Sequence, residues 1–171
     1  MGGAYPLRQC AVMDKEEQKH MDRVEEARRT LLALYGGSHS PLEESDPDFA
    51  AIKQRLVYGE LYAQEALDPV MRELILLAVA TTNQTMSEVK LHTCAALRSG
   101  ASPEAVKEAV YHCAPYIGLG KAEAAAAAVN EVLRTQGISL PLASQRTVSE
   151  EDRLTAGIAA QKSIFGPHID E

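Results

Sequence analysis

The sequence predicts an all-α fold, and three observations carry that prediction. No stretch alternates apolar and polar residues with the period of two that a half-buried strand requires. Helix-start signals built on proline recur at Asp46-Pro47, Asp68-Pro69 and Ser102-Pro103, and glycine stops stand at Gly36-Gly37, Gly100 and Gly137. Two Phe and no Trp among many Ala and Leu residues suit helices that approach closely through small side chains. A chain of 171 residues fits one such domain, large enough to bury roughly 70% of its unfolded surface.

Each element follows from local signals. From about Asp14 to Tyr35, Val24, Leu31, Leu32 and Leu34 lie among charges, the pattern of an amphipathic helix that Gly36-Gly37 stops. Ser38 to Ser45 reads as a loop. Ser45-Asp-Pro-Asp48 then offers a cap, a first-turn proline and an acidic first turn for a helix through about Ala66. The helix opened by Asp68-Pro69 contains Leu74 to Ala80, apolar on every face, and is expected to run through the centre of the core. Polar residues Thr81 to Thr85 mark the break after it. The next helix covers roughly Met86 to Ser99, and Ser102-Pro103-Glu104 opens another that reaches about Ile117, its last turn kinked by Pro115. These two are expected to form a central antiparallel helical hairpin.

After Gly118-Leu-Gly120, the Ala-rich stretch Lys121 to Gln136 has strong helix propensity and closes at Gly137. Ile138 to Thr147 reads as a linker, and Ser149-Glu-Glu-Asp152 opens a short final helix through about Ile164. Leu31-Leu-Ala-Leu-Tyr-Gly36 and Gln161-Lys-Ser-Ile-Phe-Gly166 share an apolar, aromatic, glycine ending, a faint internal echo. The organisation expected is an N-terminal helix and loop over 1–45, a core over 46–137, and a linker with a C-terminal helix over 138–171.

Composition excludes several function classes. A net charge of −7 opposes nucleic acid or an anionic membrane as partner. The opening residues lack a basic region followed by an apolar run, and no segment reaches the ~18 apolar residues of a membrane span, so a cytoplasmic protein is expected. Cys10, Cys94 and Cys113 are too scattered for a disulfide framework, form no CxxC motif and fit a reducing compartment.

The residues that carry chemistry stand on the expected hairpin. Glu88 and His92 are four apart and share a helix face, and His112 and Tyr116 repeat the spacing on the following helix. If the two helices pack antiparallel, a carboxylate, two imidazoles and a phenol can converge on one pocket. The plainer reading is a helix-stabilising Glu/His pair and a packing tyrosine. His92, Cys94, His112 and Cys113 superficially resemble a zinc set. However, Cys94 lies about 200° around the helix from His92 and Cys113 about 100° from His112, so neither a metal nor another cofactor is expected.

Residues 49–136 resemble the carboxymuconolactone decarboxylase family of the AhpD-like superfamily. The matching blocks are Tyr58-Gly-Glu60, Leu67 to Ile75, Glu88-Val-Lys-Leu-His92 with Ala95-Ala-Leu97 and Gly100, and Val110-Tyr-His-Cys-Ala-Pro-Tyr-Ile-Gly118. The resemblance implies an AhpD-like helical bundle assembled as a homo-oligomer, a trimer or hexamer. The superfamily's peroxidases use a CxxC pair with a glutamate and a histidine. Glu73 and His92 match the last two, whereas the cysteines fall on Thr85 and Glu88. The decarboxylase pattern has a glutamate four residues before the histidine and a histidine four before a tyrosine, as here. Those decarboxylases commonly carry arginine two residues after the first histidine, where this chain has Cys94. Thr155 to Gly166 resembles the family's entrance segment, which some members carry in two copies.

What the resemblance implies is a carboxy-lyase: cofactor-independent decarboxylation or proton transfer on a small acid or lactone. In that reading His92 and His112 move protons, Glu88 orients one ring, Glu73 is a proton donor made weakly acidic by desolvation, and Tyr116 donates to an enolate oxygen. Glu73 could instead simply pair with Arg72. Two other classes stand beside it. One is a thiol-dependent, peroxiredoxin-like peroxidase using Cys94 or Cys113. The other is a noncatalytic helical assembly module.

Overall fold

A computed structural model describes residues 23–37, 40–64 and 66–166. Cys10, the opening segment and the part of the first expected helix before Arg23 lie outside the described residues. Helix α1 spans Arg23–Tyr35 and ends at Gly36, whose φ of 80° is the left-handed conformation that glycine adopts at no steric cost. It buries Ala27, Leu31 and Leu34, spaced four and three apart on one face.

Helix α2 spans Pro47–Gln54, with Asp46 rather than Ser45 at the cap position. A single helix was expected to continue to about Ala66. The chain instead widens into a π-helical segment, Arg55–Leu61, and tightens into a 3-10 turn, Tyr62–Gln64. The wide winding shows in the Tyr62 N–H, which donates to the Val57 carbonyl five residues back. Gly59 lies in this segment, where a β-carbon would stand 2.1 Å from the Arg23 carbonyl oxygen, so glycine lets the backbone of α1 touch it.

Helix α3 spans Pro69–Asn83, capped by the Asp68 carboxylate, which accepts from the Val70 and Met71 amides at 3.0 and 3.1 Å. It buries Glu73, Leu77, Ala80 and Thr81. The expectation that it is buried all round needs correcting, because Met71, Ile75 and Val79 form an exposed stripe. The break is also shorter than expected, falling at Gln84, whose φ of 58° turns the chain.

Helix α4, Met86–Arg98, runs back along α3. Glu73 meets His92 and the Ala80 carbonyl meets the Thr85 amide, so the pair is antiparallel. Helix α5, Pro103–Tyr111, begins at Ser102, whose hydroxyl accepts from the Ala105 amide at 3.1 Å. Pro115 has the expected effect, and the helix breaks at His112-Cys113 before the short α6, Ala114–Ile117. Helix α7, Leu119–Thr135, buries Ala122, Ala125, Ala128, Val129, Val132 and Leu133. Consecutive α4 and α5 rest mainly on α3 and α7 and only slightly on each other. Helix α8, Arg153–Phe165, buries none of its residues.

The result is all-α, with no strand among the described residues. Two apolar clusters hold it. Leu77, Val89, Val106, Val110, Val129 and Leu133 form one, and Ala27, Leu31, Leu34, Tyr58, Tyr62 and Ala95 form the other. A fully buried Leu or Val contributes about 1.5–3 kcal/mol. Helix α4 serves both, through Val89 and Ala96 on one side and Ala95 on the other. His92 stands between them. No helix of the described residues is long and apolar enough to cross a membrane.

Candidate active site

Helix α3 places Glu73 in its second turn, where the side chain is fully buried. Helix α4 runs past it and presents His92, also buried. His92 Nδ1 lies 2.9 Å from Glu73 Oε2, and Arg72 Nε donates to Glu73 Oε1 at 3.2 Å. Both carboxylate oxygens therefore have partners, as a charge removed from water requires. An ionised carboxylate only accepts hydrogen bonds, and with Glu73 in that form the contact calls for the ring's proton on Nδ1. Nε2 turns the other way, towards Glu88 Oε2 at 3.6 Å. That separation is too long for a hydrogen bond and becomes an ion pair only when the ring is protonated.

Glu88 is one turn before His92 on α4 and is half-exposed. It lines a cleft of about 790 Å³, whose wall also includes Phe49, Lys53, Tyr58, Lys90, Leu91 and Cys94. Lys53 Nζ donates to Glu88 Oε1 at 3.1 Å, and Lys90 pairs with Glu131 at 2.8 Å. The sequence suggested that Glu88 orients the imidazole. The direct hydrogen bond instead comes from Glu73 behind the ring, and Glu88 faces the cleft.

Three tyrosines back this arrangement. Ring centroids are 5.9 Å apart for Tyr35 and Tyr58 and 5.2 Å for Tyr58 and Tyr62, both edge to face. Tyr58 lies on the cleft wall, and Tyr62 reaches the buried acid, with the Arg72 guanidinium 3.8 Å above its ring. The Tyr62 hydroxyl sits near Glu73 without a direct hydrogen bond. Burial raises the pKa of all three phenols, and the Glu73 charge raises that of Tyr62 further.

Of the sequence candidates, Glu73, Glu88 and His92 come together. His112 and Tyr116 meet each other, with ring centroids 6.5 Å apart, but both are exposed and neither lines this cleft. His92, Cys94, His112 and Cys113 do not converge. Among the described residues no group of three or more His, Cys, Asp or Glu side chains is placed to hold a metal. Cys94 lines the cleft, and burial pushes its thiol pKa up, partly offset by Arg98. Cys113 is buried, with Sγ directed at the Ala109 carbonyl at 3.2 Å. Sequence reasoning missed Lys53, Tyr58 and Tyr62 as parts of the site. The Tyr58-Gly-Glu60 block was the available signal.

Fold and site together define a chain that is all-α among its described residues, whose buried carboxylate and imidazole stand behind a cleft-facing carboxylate. Residues 47–131 match the sequence model of the carboxymuconolactone decarboxylase family, and through that segment the chain belongs to the family. It is also similar to a 4-carboxymuconolactone decarboxylase from Acinetobacter baylyi, with 29% identity over 98 residues, 57% of this chain and 73% of that protein.

Proposed function

We propose that the protein is a cofactor-independent carboxy-lyase or proton-transfer enzyme acting on a small acid or lactone. The observation that carries this is the Glu73–His92 hydrogen bond at 2.9 Å, which leaves Nε2 facing the cleft carboxylate Glu88. In a decarboxylation the bond between the substrate carbon and its carboxylate breaks and CO2 departs. The electron pair moves into a conjugated carbonyl, giving an enolate. A proton is then added at carbon, delivered by the protonated Glu88 carboxyl; His92 Nε2 restores it by taking a proton from water, as an imidazolium held by Glu73, and passing it to Glu88. Lys53 and Lys90 supply positive charge on the cleft wall for an anionic substrate, in a chain with Cys94 at the position where these decarboxylases commonly carry arginine. The apolar neighbours Phe49 and Leu91 suit the body of a ring.

The same reading places the enzyme in the cytoplasm as a homo-oligomer. The exposed stripe Met71, Ile75 and Val79 supports self-association, and sedimentation velocity tests it. The thiol-dependent alternative has Cys94 in the cleft to support it. Burial disfavours the thiolate that such chemistry needs.

The test is CO2 release or lactone turnover from 4-carboxymuconolactone and related small acids. His92→Ala and Glu88→Gln are expected to lose about 10²- to 10⁴-fold in kcat. Unchanged rates in both remove these residues from the mechanism, and hydroperoxide consumption lost on Cys94→Ser turns the assignment to redox chemistry.

A further inference from the structure

Arg72 and Glu73 are neighbours in sequence, and successive helix residues point about 100° apart. A contact of 3.2 Å between their side chains therefore needs the guanidinium to be steered back over the helix. Tyr62 does this. Its ring lies 3.8 Å below the Arg72 guanidinium carbon, and it arrives from a different element, the 3-10 turn that follows the π-helical segment. The Arg72 side chain keeps 18% of its exposure and Glu73 keeps none, so a part-exposed cation stands against a fully buried carboxylate.

From this geometry we infer that Arg72, seated on Tyr62, is a positioning residue that keeps Glu73 a pure acceptor and so fixes His92 in one tautomer, with Nε2 turned towards Glu88 on the cleft wall. The inference rests on the reading that His92 is the proton-handling group. The charged and titratable groups around that ring are Glu73 and Arg72 on α3, Glu88 on α4, Lys53 on α2, and Tyr58 and Tyr62 beyond them. Arg72 alone among them supplies a cation to the inner carboxylate among the described contacts.

Two-bond nitrogen–proton NMR of histidine rings in the full chain reads the tautomer directly and needs no substrate. His92 signals are assigned by their loss in His92→Gln. The wild type is expected to show a single pattern with the proton on Nδ1. Arg72→Gln should lose that pattern to a tautomer mixture, and Arg72→Lys should retain it by keeping the charge. Tyr62→Phe, which keeps the ring, should leave it unchanged. A folded Arg72→Gln protein with the wild-type pattern overturns the inference. So does Tyr62→Phe acting as strongly as Arg72→Gln, because the hydroxyl would then be the controlling group. If Arg72→Gln fails to fold, Tyr62→Leu decides: it removes the platform and leaves the guanidinium, and an unchanged pattern overturns the inference. An altered Arg72→Gln pattern in a protein that turns over no acid or lactone leaves this inference standing and defeats the proposed function alone.

Discussion

Helices α1 and α8 share one local plan and differ in how they are packed. Each runs thirteen residues, opens on an arginine and stops at a glycine at φ 80°. Laid side by side, Val24 faces Leu154, Leu34 faces Ile164 and Tyr35 faces Phe165. Yet α1 buries Ala27, Leu31 and Leu34, and α8 buries nothing. Caps and stops make a helix, and a seat is a separate requirement. Leu31, which lies in the apolar cluster with Tyr58 and Tyr62, corresponds to Gln161 in α8. The other half of the requirement is the partner, because Gly59 lets the start of α1 touch the π-helical segment.

The comparison breaks most sharply at Gly59. Gly59→Ala pushes a methyl into the Arg23 carbonyl and should cost about 3 kcal/mol or more, with α1 losing amide-exchange protection to the level of α8. Retained protection in α1 would show that the close approach is not what seats it. Next in size, Leu31→Ala should destabilise by about 2–5 kcal/mol in urea unfolding. Ile158→Ala on α8 should stay within about 0.5 kcal/mol. Equal losses would mean that α8 is packed in solution.

The smallest effect is at the helix ends. Burial raises the pKa of Tyr35 in the folded chain above the unfolded value of about 10. An acid whose folded pKa is raised stabilises the fold below the unfolded pKa and loses that contribution as pH rises. Stability should therefore fall above about pH 10. Tyr35→Phe, which gives α1 the residue of α8, should make that fall shallower, because Tyr58 and Tyr62 still contribute. Urea midpoints across the alkaline range measure it, and an unaltered slope excludes Tyr35 from the effect.

What the sequence revealed follows the same division. Asp68-Pro69 and Ser102-Pro103 located the starts of α3 and α5 because capping is decided within a turn, and Pro115 located a break for the same reason. Glu88 and His92 were readable as neighbours from their spacing, and His112 and Tyr116 likewise meet. The spacing does not set which helix faces another. His112 and Tyr116 therefore turn outward, although the two pairs were expected to share a pocket. The Glu73–His92 bond joins residues on two helices; the family resemblance put both in one site without pairing them. Lys53 and Tyr62 reach the site through tertiary packing, which left no local trace.

The π-helical segment has a consequence for any alignment or redesign of this chain. Such a turn holds about one residue more than an α-helical turn. Deleting one residue between Arg55 and Leu61 would let the strand of backbone rewind and swing later side chains by about 100°. Tyr62 would leave its place under the guanidinium while every other residue kept its identity. Chain length at this point acts as a shim between α2 and the acid behind the histidine, so a gapless comparison across it would pair the wrong phenols.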